Sequence, residues 1–183
     1  MRGKSLLYGT LAAAITLFVW QAISNVAIPW HAATVKAFTS DAAAVQAIRV
    51  VAPTNGVYAS PEGILAAVSL TPDMADKTKS MGPNLAKQFV IDLIAALLLC
   101  LVVGRINVGR KRDVAFTLGL AGLAAGIIKE MSDWNWYGFS ASYAIVNEID
   151  LTIQFVLAGI VIAWVYKREM RGETMAGGAP GVR

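Results

Sequence analysis

Two carboxylates and five side-chain amides are the residues of this chain best placed to do chemistry, because they interrupt otherwise apolar stretches at helical spacing. Gln88 and Asp92 are four apart and share one helical face; Asn147, Asp150 and Gln154 fall at i, i+3 and i+7 on another. Gln21 and Asn25, again four apart, lie with Ser24 near the end of a third apolar stretch. Polar groups in such surroundings are costly and turn toward other helices or water. Together they could hold a proton or a small ion, with Asp92 the sharpest candidate. The commoner role is packing, with Asp92 tied to Lys87, Lys129 or an amide of the last apolar stretch. The same holds for Asp150, which lies closer to the interface. His31, the single histidine, is of the residue type that changes charge near neutral pH or binds metal. Beside Trp30, its commoner role is a hydrogen-bonding interface residue.

The elements that must position these groups are membrane spans. Of 183 residues, 56% are hydrophobic and 15% charged, against about 25% charged in a soluble domain. Four apolar stretches approach the ~20 residues that a helix needs to cross a bilayer: Leu6–Ile28, Leu85–Val103, Val114–Ile128 and Ile149–Tyr166. The first stops at Pro29 and the second has Pro83 in its first turn. The third is short and has to run on through Lys129, Glu130 and Met131 to span. The fold class expected is an all-α membrane protein of four transmembrane helices, with a small external helix-plus-hairpin segment between helices 1 and 2. The divisions are 1–28 for helix 1, 29–83 for the external segment, 84–168 for helices 2–4 and 169–183 for a flexible tail.

Basic residues fix a direction, because cytoplasmic loops retain Lys and Arg. Arg2 and Lys4, then Arg105, Arg110, Lys111 and Arg112, then Lys167, Arg168 and Arg171 share one side if the spans number four. Both termini are therefore expected in the cytoplasm. The formal charge of +4 marks topology rather than a nucleic-acid surface, since the basic residues flank apolar runs. On this topology the amides and carboxylates all lie toward the outer ends of their helices, where they could meet in one cluster.

In the external segment, Thr39-Ser40-Asp41 reads as a helix cap before Ala42–Ile48, and the helix should stop before Pro53. Gly56–Ala59 and Ile64–Leu70 read as strands around Ser60-Pro61-Glu62-Gly63. Residues 71–80 read as a solvated approach to span two. A unit this small buries little core and should pack on the spans or on a partner.

Gly119, Gly122 and Gly126 give the third span a small-residue face for close helix packing, within the chain or against a neighbour. Trp134 and Trp136 follow as an interfacial belt or a ligand contact. Cys100 lies among leucines as an inert apolar residue. One Cys and one His rule out an internal disulfide and any zinc site of several Cys or His ligands. The sequence has no phosphate loop, nucleophile elbow or HExxH motif, and no histidine pair for haem. No enzyme activity and no cofactor are expected.

The run Trp20-Gln21-Ala22-Ile23-Ser24 through Ile28-Pro29-Trp30-His31, with Gly56-Val57-Tyr58 and Pro61-Glu62-Gly63, resembles a pattern in small bacterial inner-membrane proteins of unassigned function. The resemblance covers mainly the first third. It implies a bacterial inner-membrane protein with an external loop after span one, and carries over no catalytic residues. The leading expectation is a non-catalytic accessory or assembly subunit that meets the lipid bilayer and other integral membrane proteins or copies of itself. The alternatives are a small proton- or ion-coupled carrier built around Asp92, and a membrane-anchored external binding or sensing module.

Overall fold

A computed structural model describes residues 3–69, 77–106 and 110–176. The polar approach at residues 71–76, with Met74, and the tail from residue 177 lie outside the described residues. Among the described residues, four helical segments are long and apolar enough to cross a membrane: Gly3–Ala27, Met81–Arg105, Lys111–Tyr137 and Ala141–Tyr166. The first is α1 (Gly3–Ala22) continued by one wider π turn, Ile23–Ala27. It ends where Ile28 turns extended ahead of Pro29, whose ring disfavours helical geometry in the residue before it. A short α2 (Trp30–Thr34) follows.

The second span belongs to α4 (Lys77–Arg105), which starts earlier than its apolar content implies. Pro83 therefore lies inside the helix rather than in its first turn, and one backbone hydrogen bond is forgone there. The third span does run on through Lys129-Glu130-Met131: α5 (Lys111–Gly126) passes through a second π turn, Ile127–Met131, into α6 (Ser132–Tyr137). Gly138, at φ +71°, ends α6 in the left-handed conformation that lacks a steric penalty only for glycine. The last helix, α7 (Ala141–Ala176), begins eight residues before Ile149 and continues as helix into the segment expected to be a flexible tail.

The described residues divide into two compact units. The larger, residues 1–34 and 85–183, holds the spans and also α2. Its core takes residues from all four: Ala13, Ala14 and Leu17; Ala96, Cys100 and Val103; Val114 and Leu118; Ala158, Ile162 and Ala163. Between helices in lipid, close packing rather than water exclusion supplies the attraction, so small residues matter. A Cβ on Gly119 would sit 2.7 Å from Val156 Cγ2, and one on Gly122 2.7 Å from Phe155 Cβ. Gly159 returns the contact, with Ala115 Cα 2.8 Å from its would-be Cβ. The small-residue face thus closes on α7 of the same chain. At the other side of α1, Phe18 meets Phe89 edge-on at 5.7 Å, and Cys100 is fully buried near Gly9.

The smaller unit, Val35–Asn84, contains α3 (Asp41–Val51), capped by Ser40 Oγ accepting from Ala43 N at 3.4 Å. Strands β1 (Gly56–Ser60) and β2 (Ile64–Val68) pair antiparallel from Gly56 opposite Val68 to Ser60 opposite Ile64. Gly63, at φ +94°, closes the three-residue turn.

Candidate functional site

The polar residues gather at one end of the span unit, where α1, α2, α4 and α7 meet. Asp150, on α7, is its hub. Trp20 Nε1 donates to Asp150 Oδ1 at 2.6 Å, Ser24 Oγ donates to the same oxygen at 2.8 Å, and Gln154 Nε2 donates to Oδ2 at 3.1 Å. His31 Nε2 stands 3.5 Å from Oδ2 and 3.1 Å from Ser24 Oγ. Ser24 has one proton and gives it to Asp150, so the hydrogen between His31 and Ser24 comes from Nε2. Trp30 Nε1 donates to Ser24 O at 3.0 Å and Ser24 Oγ at 3.1 Å, closing this side.

Asp92, on α4, is the second centre. Its Oδ1 accepts from Gln21 Nε2 at 3.1 Å and from Gln88 Nε2 at 3.0 Å. The Gln21 amide also donates to Gln154 Oε1 at 3.1 Å, so one chain of contacts runs Asp92, Gln21, Gln154, Asp150. Asp92 is 2% exposed and Asp150 6%.

Five of the seven predicted cluster residues are therefore brought together: Gln21, Gln88, Asp92, Asp150 and Gln154. Asn25 and Asn147 are not. Asn25 Nδ2 donates to Gln21 O at 3.0 Å and Asn147 Nδ2 to Tyr143 O at 2.8 Å, each folding back on its own helix. A short amide side chain reaches the carbonyl four residues back more easily than a neighbouring helix. Nor does Lys129 approach Asp92: it pairs with Asp133 and lies 3.9 Å from Glu130. The partner that holds Asp92 on another helix is Gln21 of α1, not an amide of α7.

His31 joins the cluster outright. Trp20 and Trp30 turn their indole N–H groups into it. Trp134 and Trp136 stay largely exposed. Glu148 was not foreseen: it is 8% exposed, its Oε1 accepts from Thr152 Oγ1 at 3.1 Å, and Oε2 packs over Gly126. The signal for it was Gly126 itself, since only a residue without Cβ leaves room for that carboxyl. The two π turns also flank α7 at this end, Ser24 of one reaching Asp150 and Gly126, just before the other, lying under Glu148. Such turns redirect side chains by widening the helix locally.

No protein-family model, curated protein or solved structure matches this chain.

Proposed function

We propose that the chain is a non-catalytic integral membrane subunit, an accessory or assembly component of a larger complex. The observation that carries this reading is the thin core of the Val35–Asn84 unit. Among its described residues only Ala52 is buried, while Val35, Phe38, Val50, Val51, Val57 and Ile64 are all 65% exposed or more. A two-stranded hairpin and a three-turn helix do not hold together in water on so little burial. A protein surface covering those side chains would supply what the unit lacks. The four spans, with basic residues at both ends of the chain and between spans two and three, support a multi-pass arrangement in a bacterial inner membrane. Both termini are then cytoplasmic and the 35–84 unit lies on the outer side.

Photocrosslinking residues placed at Val50 and Val57 in intact membranes test the proposal. A discrete adduct with one integral membrane protein, weakened by Val51→Glu, is the expected result. Lipid adducts alone, together with a lone monomer after extraction in mild detergent, would overturn it.

A further inference from the structure

Donor counts differ among the buried carboxyl groups: Glu148, like Asp92, has one oxygen without a partner, but its other oxygen accepts only once, from Thr152. Asp150 receives hydrogen bonds on both oxygens. Asp92 receives two, both on Oδ1, and its Oδ2 is buried without a partner. Among the described residues, no compensating charge pairs with Asp92 from the elements packed around it. From α1 come Gln21 and Phe18, both neutral. From α7 comes neutral Gln154, with Asp150 beyond it and Glu148 turned toward Gly126. His31 of α2 engages Ser24 and Asp150. On α4 itself Lys87 is exposed, and among the described residues no ion pair reaches Asp92.

An ionised carboxylate with one bare oxygen and no cation is far more expensive in an apolar interior than a neutral acid. With the carbonyl at Oδ1, which accepts twice, and a proton on Oδ2, the unpartnered group becomes a neutral O–H instead of a charged oxygen. Donors on both oxygens, as at Asp150, are the pattern of a carboxylate.

We propose that Asp92 is an intramembrane proton-binding site, a carboxylic acid linked through Gln21 and Gln154 to the ionised Asp150. Loss of the proton leaves the Asp92 carboxylate and a free H+, and places a second negative charge on the same hydrogen-bonded chain. The Gln21 amide, which donates to both Asp92 and Gln154, is the group that must then reorient. The site stands independently of the subunit reading, because it rests on the span unit alone.

Infrared difference spectroscopy of the full chain in phosphatidylcholine vesicles tests it. At neutral pH the wild type should show a carboxylic-acid C=O band that shifts in D2O and with 13C-aspartate labelling. The band should vanish at alkaline pH and be missing in Asp92→Asn but retained in Glu148→Gln. The isotope shift is read in the wild type, so the test survives a variant that does not fold. A wild type with no aspartate-dependent acid band at neutral pH would overturn the proposal. So would a band abolished by sodium chloride at fixed pH, which would assign Oδ2 to a metal cation.

Discussion

The contact of α1 with α7 around Asp150 and its contact with α4 around Asp92 are made from the same materials, a buried aspartate and glutamine amides, and differ in how they are finished. Around Asp150 a tryptophan, a serine and a glutamine cover both oxygens, and a histidine lies alongside. Around Asp92 two glutamines cover one oxygen and leave the other bare. The difference teaches that burial alone does not define a carboxyl group's state. The number and placement of donors do, and α1 with its π turn gives donors to both, Gln21 to Asp92 and Trp20 and Ser24 to Asp150.

The comparison breaks most visibly at Asp150. Asp150→Ala removes the acceptor of three donors that stay in place, and should cost about 3–5 kcal/mol, read from denaturant unfolding in mixed micelles. Next comes the glycine seam, which is independent of charge. Gly122→Val pushes a side chain into Phe155 and should cost about 1–3 kcal/mol in the same assay. A larger loss there than at Asp150 would make close packing, not the polar hub, the main tie between helices. Gln21→Leu takes one donor from Asp92 and cuts the link to Gln154, for about 1–3 kcal/mol. It should also make the effects of substituting Asp92 and Asp150 additive in a double-mutant cycle. At the small end, Asn147→Ala loses only a bond to its own helix and should stay within about 0.5 kcal/mol of wild type.

Spacing alone made the polar faces of Gln88 with Asp92 and Asp150 with Gln154 legible, because a helix repeats every 3.6 residues and both pairs fall on one stripe. It could not tell which amides cross between helices. Asn25 and Asn147 obey the same spacing, yet their short side chains close on backbone carbonyls. The contacts of Trp20 and Trp30 were not legible, because an indole looks the same in sequence whether its N–H meets a headgroup or a buried acceptor. The π turn at Ile23–Ala27 and the Pro29 bend, which together carry Ser24, Trp30 and His31 to Asp150, leave no periodic trace. The four long apolar helices were legible from hydropathy, with ends shifted where α4 and α7 extend into more polar sequence. In the Val35–Asn84 unit, Ser40, Pro53 and the Gly63 turn punctuate the chain strongly enough to place α3 and the hairpin.

The most direct test sets Asp92→Asn beside Asp150→Asn in one detergent at neutral pH and follows unfolding of each. Asparagine offers Gln21 and Gln88 the same carbonyl that a protonated Asp92 does, so the first variant should unfold where the wild type does. At Asp150 the substitution replaces an acceptor oxygen with a donor facing other donors, and should cost about 1.5–3 kcal/mol. Equal losses at the two positions, or a greater loss at Asp92, would contradict the distinction between acid and carboxylate.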